Sequence, residues 1–450
     1  MVILQVLHRY FPESVGGIEV YASSLCTELS KWHQVHVFTG HHNNSNERPV
    51  FDTDNKGFNV RKSYCECMKA RPRLSAPFCN DMFVKNFKDY LLEIKPNIVH
   101  IQYCDDLPID IISVAREAGI PVIVTVHDYT FLCPTEYLID KDLNVCQKKP
   151  GANCIACLIP WPFNRAYGIV PKRILSMSIN WLYNCIPGSP KPHKSHTIET
   201  MRTLKYRMEN IKNKLLLANR IIFPSKAMYD KAVEFGMPKE KLAHISNMVK
   251  TDISHQKNKR VSNKLRFGFI GRVVPIKGVH VLIEAFNKLK NSCAELKIYG
   301  PLDSDYCTKL KSLAAKSDVQ FFGEFNPADI HNVLSSIDVL VLPSVCCENM
   351  PLVALEALAS KTPIIASDIG GIAEVVINGK NGFLFKAGDS DDLYKKMNSL
   401  LMDENLISHL RSNASLPNTL ASHVKSVENV YFSASVQTVS SDKSYAQVQK

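Results

Sequence analysis

Val339-Leu-Val-Leu-Pro-Ser-Val-Cys-Cys-Glu348-Asn-Met-Pro-Leu-Val-Ala-Leu-Glu356 carries two carboxylates, with seven residues between them, across a strand, a loop and a helix start. Val339 to Leu342 is wholly apolar and closed by Pro343 and Ser344, as an interior strand of a parallel sheet should be. Pro351 suits a first helical turn, and Leu352, Leu355, Ala357, Leu358 and Ala359 continue at helical spacing. The reading therefore puts Glu348 on the loop and Glu356 about one and a half turns into the helix. Between them lie the free N–H groups and the positive dipole end of the helix, which suit a phosphate. Each carboxylate accepts hydrogen bonds from vicinal hydroxyls, so a sugar on one side and a ribose on the other would fit this layout. A pair of surface glutamates, one stabilising the helix start, is the alternative on spacing alone.

Neighbouring motifs bear on that choice. Leu355-Glu-Ala357 is followed by Thr362-Pro-Ile-Ile-Ala-Ser367 and then Gly370-Gly-Ile-Ala-Glu374; upstream stands Phe267-Gly-Phe-Ile-Gly-Arg272-Val-Val-Pro-Ile-Lys277-Gly278; and Gly16-Gly17-Ile-Glu19 follows the strand-like Val2 to Leu7. In content and order these resemble glycosyltransferase family 4, the retaining Glu-x7-Glu enzymes of the GT-B fold, over roughly residues 1–430. The resemblance implies two Rossmann-like, doubly wound parallel-sheet α/β domains facing across a cleft. It implies a metal-independent, retaining transferase that takes a sugar from a UDP- or GDP-sugar co-substrate and requires no cofactor. By the same resemblance Arg272 and Lys277 neutralise the diphosphate, Glu348 positions the donor sugar, Glu356 holds the ribose, and His127 contacts a sugar hydroxyl and the developing charge. Gly16, Gly17, Asn349, Met350 and Leu352 line the donor, and Asp128 orients the acceptor. The chain departs from the family at Glu348-Asn-Met-Pro351, where Glu-Gly-x-Pro is common, and that bears on sugar specificity.

Size and pattern agree with two domains. The 450 residues, 45% hydrophobic, suffice for two cores. Apolar runs at Val35–Phe38, Ile98–Ile101, Val122–Val126, Ile221–Phe223, Leu296–Tyr299 and Val339–Leu342 alternate with helical patterns, as in βαβ units. The expected division is 1–250 for the first, acceptor-side domain and 261–417 for the second, nucleotide-sugar domain, joined by the basic stretch 250–260. A basic, cysteine-bearing insertion is expected at about 130–215. A helix at about 418–434 is expected to return to the first domain, and the Ser-, Lys- and Gln-rich 435–450 to be disordered.

An interior strand begins at residue 2, so no leader is read, and the semi-apolar Ile174–Ile186 is too short to span a bilayer. Fourteen scattered cysteines in a long chain read as a reducing, cytoplasmic setting. The net charge of +11 concentrates between Trp161 and Arg220, where eleven Lys or Arg face only Glu199 and Glu209. Trp161, Phe163, Tyr167, Ile174, Leu175, Trp181, Leu182, Tyr183 and Ile186 lie among these cations. That mixture suits either a helix against anionic lipid or a solvated helix whose aromatics are core. No nucleic-acid module surrounds the patch, so nucleic acid is not expected.

Cys133, Cys146, Cys154 and Cys157 follow His127-Asp128 closely. Four thiolates could complete a structural zinc site; free cysteines in an acceptor loop are the alternative. The chain is accordingly expected to extend a lipid-linked or growing surface polysaccharide, as in capsule, O-antigen or exopolysaccharide assembly. A soluble acceptor, or a catalytically silent GT-B subunit at the membrane, are the competing expectations.

Overall fold

The computed structural model describes residues 1–12, 16–41, 50–55, 57–64, 81–103, 107–140, 144–158, 172–189, 191, 193–249, 264–289, 293–302, 305–315, 317–415 and 419–448. The first sheet is built from β1 (Val2–Leu7), β2 (Gln34–His41), β3 (Val50–Asn55), β4 (Phe58–Tyr64), β5 (Ile98–Tyr103), β6 (Val122–Val126), β7 (Arg220–Phe223) and β8 (Leu242–His244). Its order is β3-β4-β2-β1-β5-β6-β7-β8, parallel throughout except for the antiparallel β3–β4 pair. Around it run α1 (Gly17–Leu29), α2 (Asp81–Ile94), α3 (Ile111–Glu117), α4 (Ile155–Leu158), α5 (Lys172–Cys185), α6 (His196–Leu215) and α7 (Lys226–Glu234).

The second sheet, β9 (Leu265–Ile270), β10 (Ala294–Tyr299), β11 (Val319–Gly323), β12 (Val339–Leu342), β13 (Ile364–Ser367) and β14 (Gly382–Phe385), is wholly parallel in the order β11-β10-β9-β12-β13-β14. Its helices are α8 (Val279–Phe286), α9 (Asp305–Leu313), α10 (Ile330–Ser335), α11 (Leu352–Ala359), α12 (Ile372–Val375), α13 (Ser390–Met402) and α14 (Glu404–Asn413). The strands β1, β5, β6, β9 and β12 are buried almost end to end, which is why they read as mostly apolar runs with few polar residues.

In each sheet the strand order, not the strand direction, reverses beside the first strand, between β1 and β5 and between β9 and β12. In such sheets the crevice at the strand carboxyl ends is where ligands sit. The loops after β1, β9 and β12 leave from these points.

The last helix, α15 (Leu420–Val448), returns to the first domain. Val424, Val427, Tyr431 and Ala434 recur along one stripe and bury against Ile3, Leu7, Tyr21 and Leu25 of β1 and α1. Each large side chain so buried contributes about 1.5–3 kcal/mol. The backbone stays helical to Val448 where the sequence reading ended the helix near 434, since no Gly or Pro interrupts the polar tail. Pro351 is the residue before α11 rather than its first helical residue, with ψ of 127°. The expected linker at 250–260 lies outside the described residues. No described helix is long and apolar enough to cross a membrane.

Candidate functional site

Glu348 sits in the loop between β12 and α11, with its side chain 14% exposed. Ser344 Oγ donates to its Oε1 at 2.7 Å, and Lys277 Nζ pairs with the same oxygen. Burial alone would raise its pKa. The Lys277 ammonium, the two hydrogen bonds and the charge of Arg272 outweigh that and hold it below the usual carboxylate range. Lys277 ends a 3-10 turn, Pro275–Lys277, and Gly278 follows in the left-handed conformation (φ 68°), where an added Cβ would lie 1.9 Å from the Pro343 carbonyl oxygen. That glycine lets the β9 and β12 loops press together, bringing Lys277 to Glu348.

Across from this loop, α1 begins at Gly17 with Gly16 as its cap residue and no side chain capping its free N–H groups. A Cβ on Gly17 would meet nothing within 4 Å, so the helix start opens onto space rather than protein. His127, at the end of β6, donates from Nε2 to Gln102 Oε1 at 2.8 Å. Burial, and then the neighbouring His8, push it down to about 3, so it is neutral at physiological pH. Asp128 caps the turn Tyr129–Phe131, accepting from Thr130 N at 2.9 Å.

The two domains touch through the motif loops. Asn349 Nδ2 donates to the carbonyl oxygens of His127 (3.2 Å) and Val126 (3.4 Å), and Asn247 Nδ2 to that of Met350 (3.2 Å). Glu374 of the second domain accepts from the backbone N–H groups of Lys226 (2.8 Å) and Ala227 (2.6 Å) at the start of α7 in the first. Between the domains lies a cavity of about 760 Å³. Gly16, Gly17, His127, Asp128, Arg272, Lys277, Glu348, Asn349, Met350 and Leu352 all line it. Two helix starts, those of α1 and α11, and the cations Arg9, Arg272 and Lys277 thus face one space, which suits a dianionic group.

Glu356 is the predicted site residue that the cavity lining does not include. It lies on α11, and burial pushes its carboxyl up to about 7. Between the ordinary carboxylate range and pH 7 the folded protein then holds a proton that the unfolded chain has lost. Stability therefore falls as pH rises through that window and stays lower above it. Glu356→Gln is expected to melt about 2 °C higher than wild type at pH 8 and together with it at pH 4.5, read by thermal unfolding without ligand. Equal melting at both values would mean that Glu356 carries no buried charge.

His8, Arg9, Glu19, Glu136, Tyr137 and Asn247 line the cavity as well, beyond the residues expected from the sequence. Glu19 had a signal, because it closes the Gly-Gly-Ile-Glu motif. It is 3% exposed, and its carboxylate would lie 2.8 Å from a Cβ on Gly16. His8 and Arg9 had only their place just after an interior strand.

The four cysteines of the insertion gather around a separate cavity of about 90 Å³, with the Cys154 thiol pushed up to about 11 by burial. Among the described residues no group of three or more His, Cys, Asp or Glu is placed to hold a metal ion. On α5 the aromatic and cationic mixture divides: Tyr183 packs with Ile155, Met201 and Leu204, while Met177 and Trp181 stand 64% and 68% exposed. Trp161, Phe163 and Tyr167 lie outside the described residues.

A family model described as "Glycosyl transferases group 1" matches residues 250–416, and one described as "Glycosyltransferase Family 4" matches residues 15–149. The uncharacterized glycosyltransferase MJ1178 of Methanocaldococcus jannaschii is 32% identical over 148 residues, covering 32% of this chain and 40% of that one. The capsular polysaccharide biosynthesis glycosyltransferase CapM of Staphylococcus aureus is 26% identical over 234 residues, covering 46% of this chain and 60% of that one. The chain thus spans about half the length of the curated relatives it matches. The crystal structure of Anabaena Alr3699/HepE in complex with UDP and glucose shares the fold, with a TM-score of 0.63 at 16% identity over 96% of this chain and 100% of that one.

Proposed function

The chain belongs to glycosyltransferase family 4 and has the GT-B fold, and from that premise we propose that it is a retaining transferase moving a sugar from a UDP- or GDP-sugar to a hydroxyl of a lipid-linked or growing surface polysaccharide. The observation that carries this reading is the interdomain cavity, where two uncapped helix starts and three cations meet a half-buried, ionised Glu348. The capsular polysaccharide role of one relative and the UDP complex of one structural neighbour support the acceptor class and the donor class.

In the proposed reaction the bond from the anomeric carbon to the diphosphate oxygen breaks while a bond to the acceptor oxygen forms on the same face. The acceptor's proton passes to a phosphate oxygen of the departing nucleoside diphosphate, so charge and atoms balance. Positive charge grows on the sugar ring and negative charge on the leaving oxygen. Arg272, Lys277 and the helix starts are fixed in advance where the negative charge appears, which is electrostatic preorganisation and calls on no metal ion. Glu348 holds the sugar by its hydroxyls and favours the developing positive charge. His127, neutral, contacts a sugar hydroxyl. The contacts of Asn349 and Asn247 across the cleft keep the domains together and water out.

Thermal shift with UDP-, GDP- and ADP-sugars tests the donor. A ligand at a hundred times its Kd stabilises by about 2.7 kcal/mol, and Arg272→Ala should remove that shift by removing a diphosphate cation. A melting temperature unmoved by every donor would favour a catalytically silent assembly subunit instead.

The lipid side of the proposal places exposed Met177 and Trp181 of α5, with the exposed Lys191 and Lys194 nearby, at an anionic membrane surface. Cosedimentation with phosphatidylglycerol vesicles should weaken several-fold in Trp181→Ser and in high salt. Equal binding of both proteins would remove α5 from the contact.

A further inference from the structure

A chain of buried hydrogen bonds runs from His127 to the returning helix α15. His127 Nε2 meets Gln102 Oε1 at 2.8 Å, Gln102 Nε2 donates to Gln5 Oε1 at 2.8 Å, and Gln5 Nε2 donates to Tyr431 Oη at 3.0 Å. Tyr431 Oη then meets His100 Nδ1 at 2.7 Å, and His100 Nε2 meets Thr125 Oγ1 at 2.7 Å. Gln5, His100, Gln102, Thr125 and Tyr431 are each 0% exposed. The five residues come from β1, β5, β6 and α15, so nothing local in the chain accounts for the alignment.

The direction of the chain follows from the inventory of donors. With the amides oriented as they stand, Gln102 presents its carbonyl oxygen, which only accepts, so His127 carries its proton on Nε2. The Tyr431 hydroxyl already accepts from Gln5 and donates its own proton to His100 Nδ1, which leaves His100 to donate from Nε2 to Thr125. Each of these short links then has one donor and one acceptor, all pointing the same way, while Gln5 Nε2 and Gln102 Nε2 also approach the His100 ring nitrogens at a longer 3.4 Å. Burial keeps both imidazoles neutral, so each has a single proton to place. With that proton on Nε2, His127 Nδ1 remains a hydrogen-bond acceptor.

We propose that Tyr431, Gln5 and Gln102 are positioning residues that fix the tautomer of His127, so that a helix from the far end of the chain sets the hydrogen-bonding character of the cleft. The reverse polarity, with both amides turned and Nδ1 of His127 protonated, would satisfy the same heavy atoms but present a donor to the ligand. The tautomer is therefore the quantity on which the proposal stands. What it means for catalysis rests on the transferase reading above; the tautomer itself does not.

Two-bond proton–nitrogen NMR correlation on the full chain with 15N-labelled histidine distinguishes the two neutral tautomers, and the His127 signal is identified by its loss in His127→Gln. Wild type, without any donor, should show one form, protonated on Nε2. Tyr431→Phe keeps the ring and removes the link to His100, and Gln102→Met removes the acceptor of His127. Both should give a mixture of tautomers at His127, and Tyr431→Phe should lower kcat/KM for the donor by about fivefold, chiefly through KM. A merely structural Tyr431 would lower the melting temperature but leave the tautomer alone. A wild-type His127 protonated on Nδ1, or an unchanged signal in both variants, overturns the proposal. Because the signal is read in donor-free protein, a chain with no transferase activity would still confirm or refute it.

Discussion

Gly371→Ala is expected to lower kcat/KM by about a hundredfold or more while leaving a folded protein. An added Cβ at Gly371 would lie 1.4 Å from the Asn349 carbonyl oxygen, 2.6 Å from its carbon and 2.8 Å from Ser225 Cβ. None of these is the loose end of a flexible side chain. Gly371 N also donates to the Glu348 carbonyl oxygen at 2.9 Å, so the loop that a methyl must displace is the one that carries the carboxylate. Gly370 beside it is left-handed (φ 57°), and its own Cβ would fall 2.5 Å from the Glu348 oxygen. The paired glycines are thus a shelf on which the backbone of Glu348 and Asn349 rests. Displacement by about 1 Å separates Glu348 from Lys277 and Asn349 from the His127 carbonyl together, and misplacement of that size costs on the order of a hundredfold in rate. Overpacking should cost about 1–3 kcal/mol of stability besides. Gly379→Ala is the matching control, since Gly379 is also left-handed (φ 76°) but a Cβ there meets nothing within 4 Å. It should lose about 1 kcal/mol through backbone strain and keep its activity. Wild-type kcat/KM in Gly371→Ala would sink the shelf.

The interior strands were legible because a parallel sheet covered on both faces demands mostly apolar runs; β12 is wholly apolar, and β5 and β6 are broken only by His100, Gln102 and Thr125. β3 and β4 were not legible. Val50–Asn55, at the sheet edge, has two apolar residues followed by four polar ones, and Phe58–Tyr64 has only Phe58 and Val60 as aliphatic or phenyl side chains before a polar end. The lining of the candidate site was legible where its residues follow the carboxyl end of an interior strand, as Arg272, Lys277, His127 and Glu348 do. Glu356 shows where spacing runs out, because a residue five positions into a helix has its direction set by how that helix rolls against its domain. Glu374 shows another limit. It stands in a recognisable turn, but that it caps α7 in the other domain depends on the two domains meeting. The hydrogen-bond chain beneath His127 was least visible, since Gln5, His100 and Gln102 look like polar interruptions in strands until α15 supplies Tyr431.

Lys277→Met should lower kcat/KM by about two to three orders of magnitude, on the scale of removing a fixed donor from the site of developing charge. Methionine keeps the length and apolar stem of lysine, so Gly278 and the contact between the β9 and β12 loops need not move. Two roles would be lost at once, the proposed cation for the diphosphate and the partner of Glu348, and pH separates them. In wild type the Glu348 carboxyl sits below the usual range. The stability it contributes is therefore present above that range and is lost as pH falls through the depressed value. Without the Lys277 ammonium, burial is opposed only by Ser344 and the more distant Arg272, so the carboxyl rises. The acid limb of kcat/KM should then move to higher pH in Lys277→Met. The variant should also no longer gain stability as pH rises through the carboxylate range. Raising the pH re-ionises Glu348 but restores no charge beside the diphosphate. The deficit that remains on the alkaline plateau therefore measures the diphosphate role, and the part recovered along the limb measures the role of Lys277 as partner. A variant whose pH profile keeps the wild-type shape at lower height would leave Lys277 acting on the diphosphate alone, and the ionisation of Glu348 would then be maintained by Ser344 and Arg272.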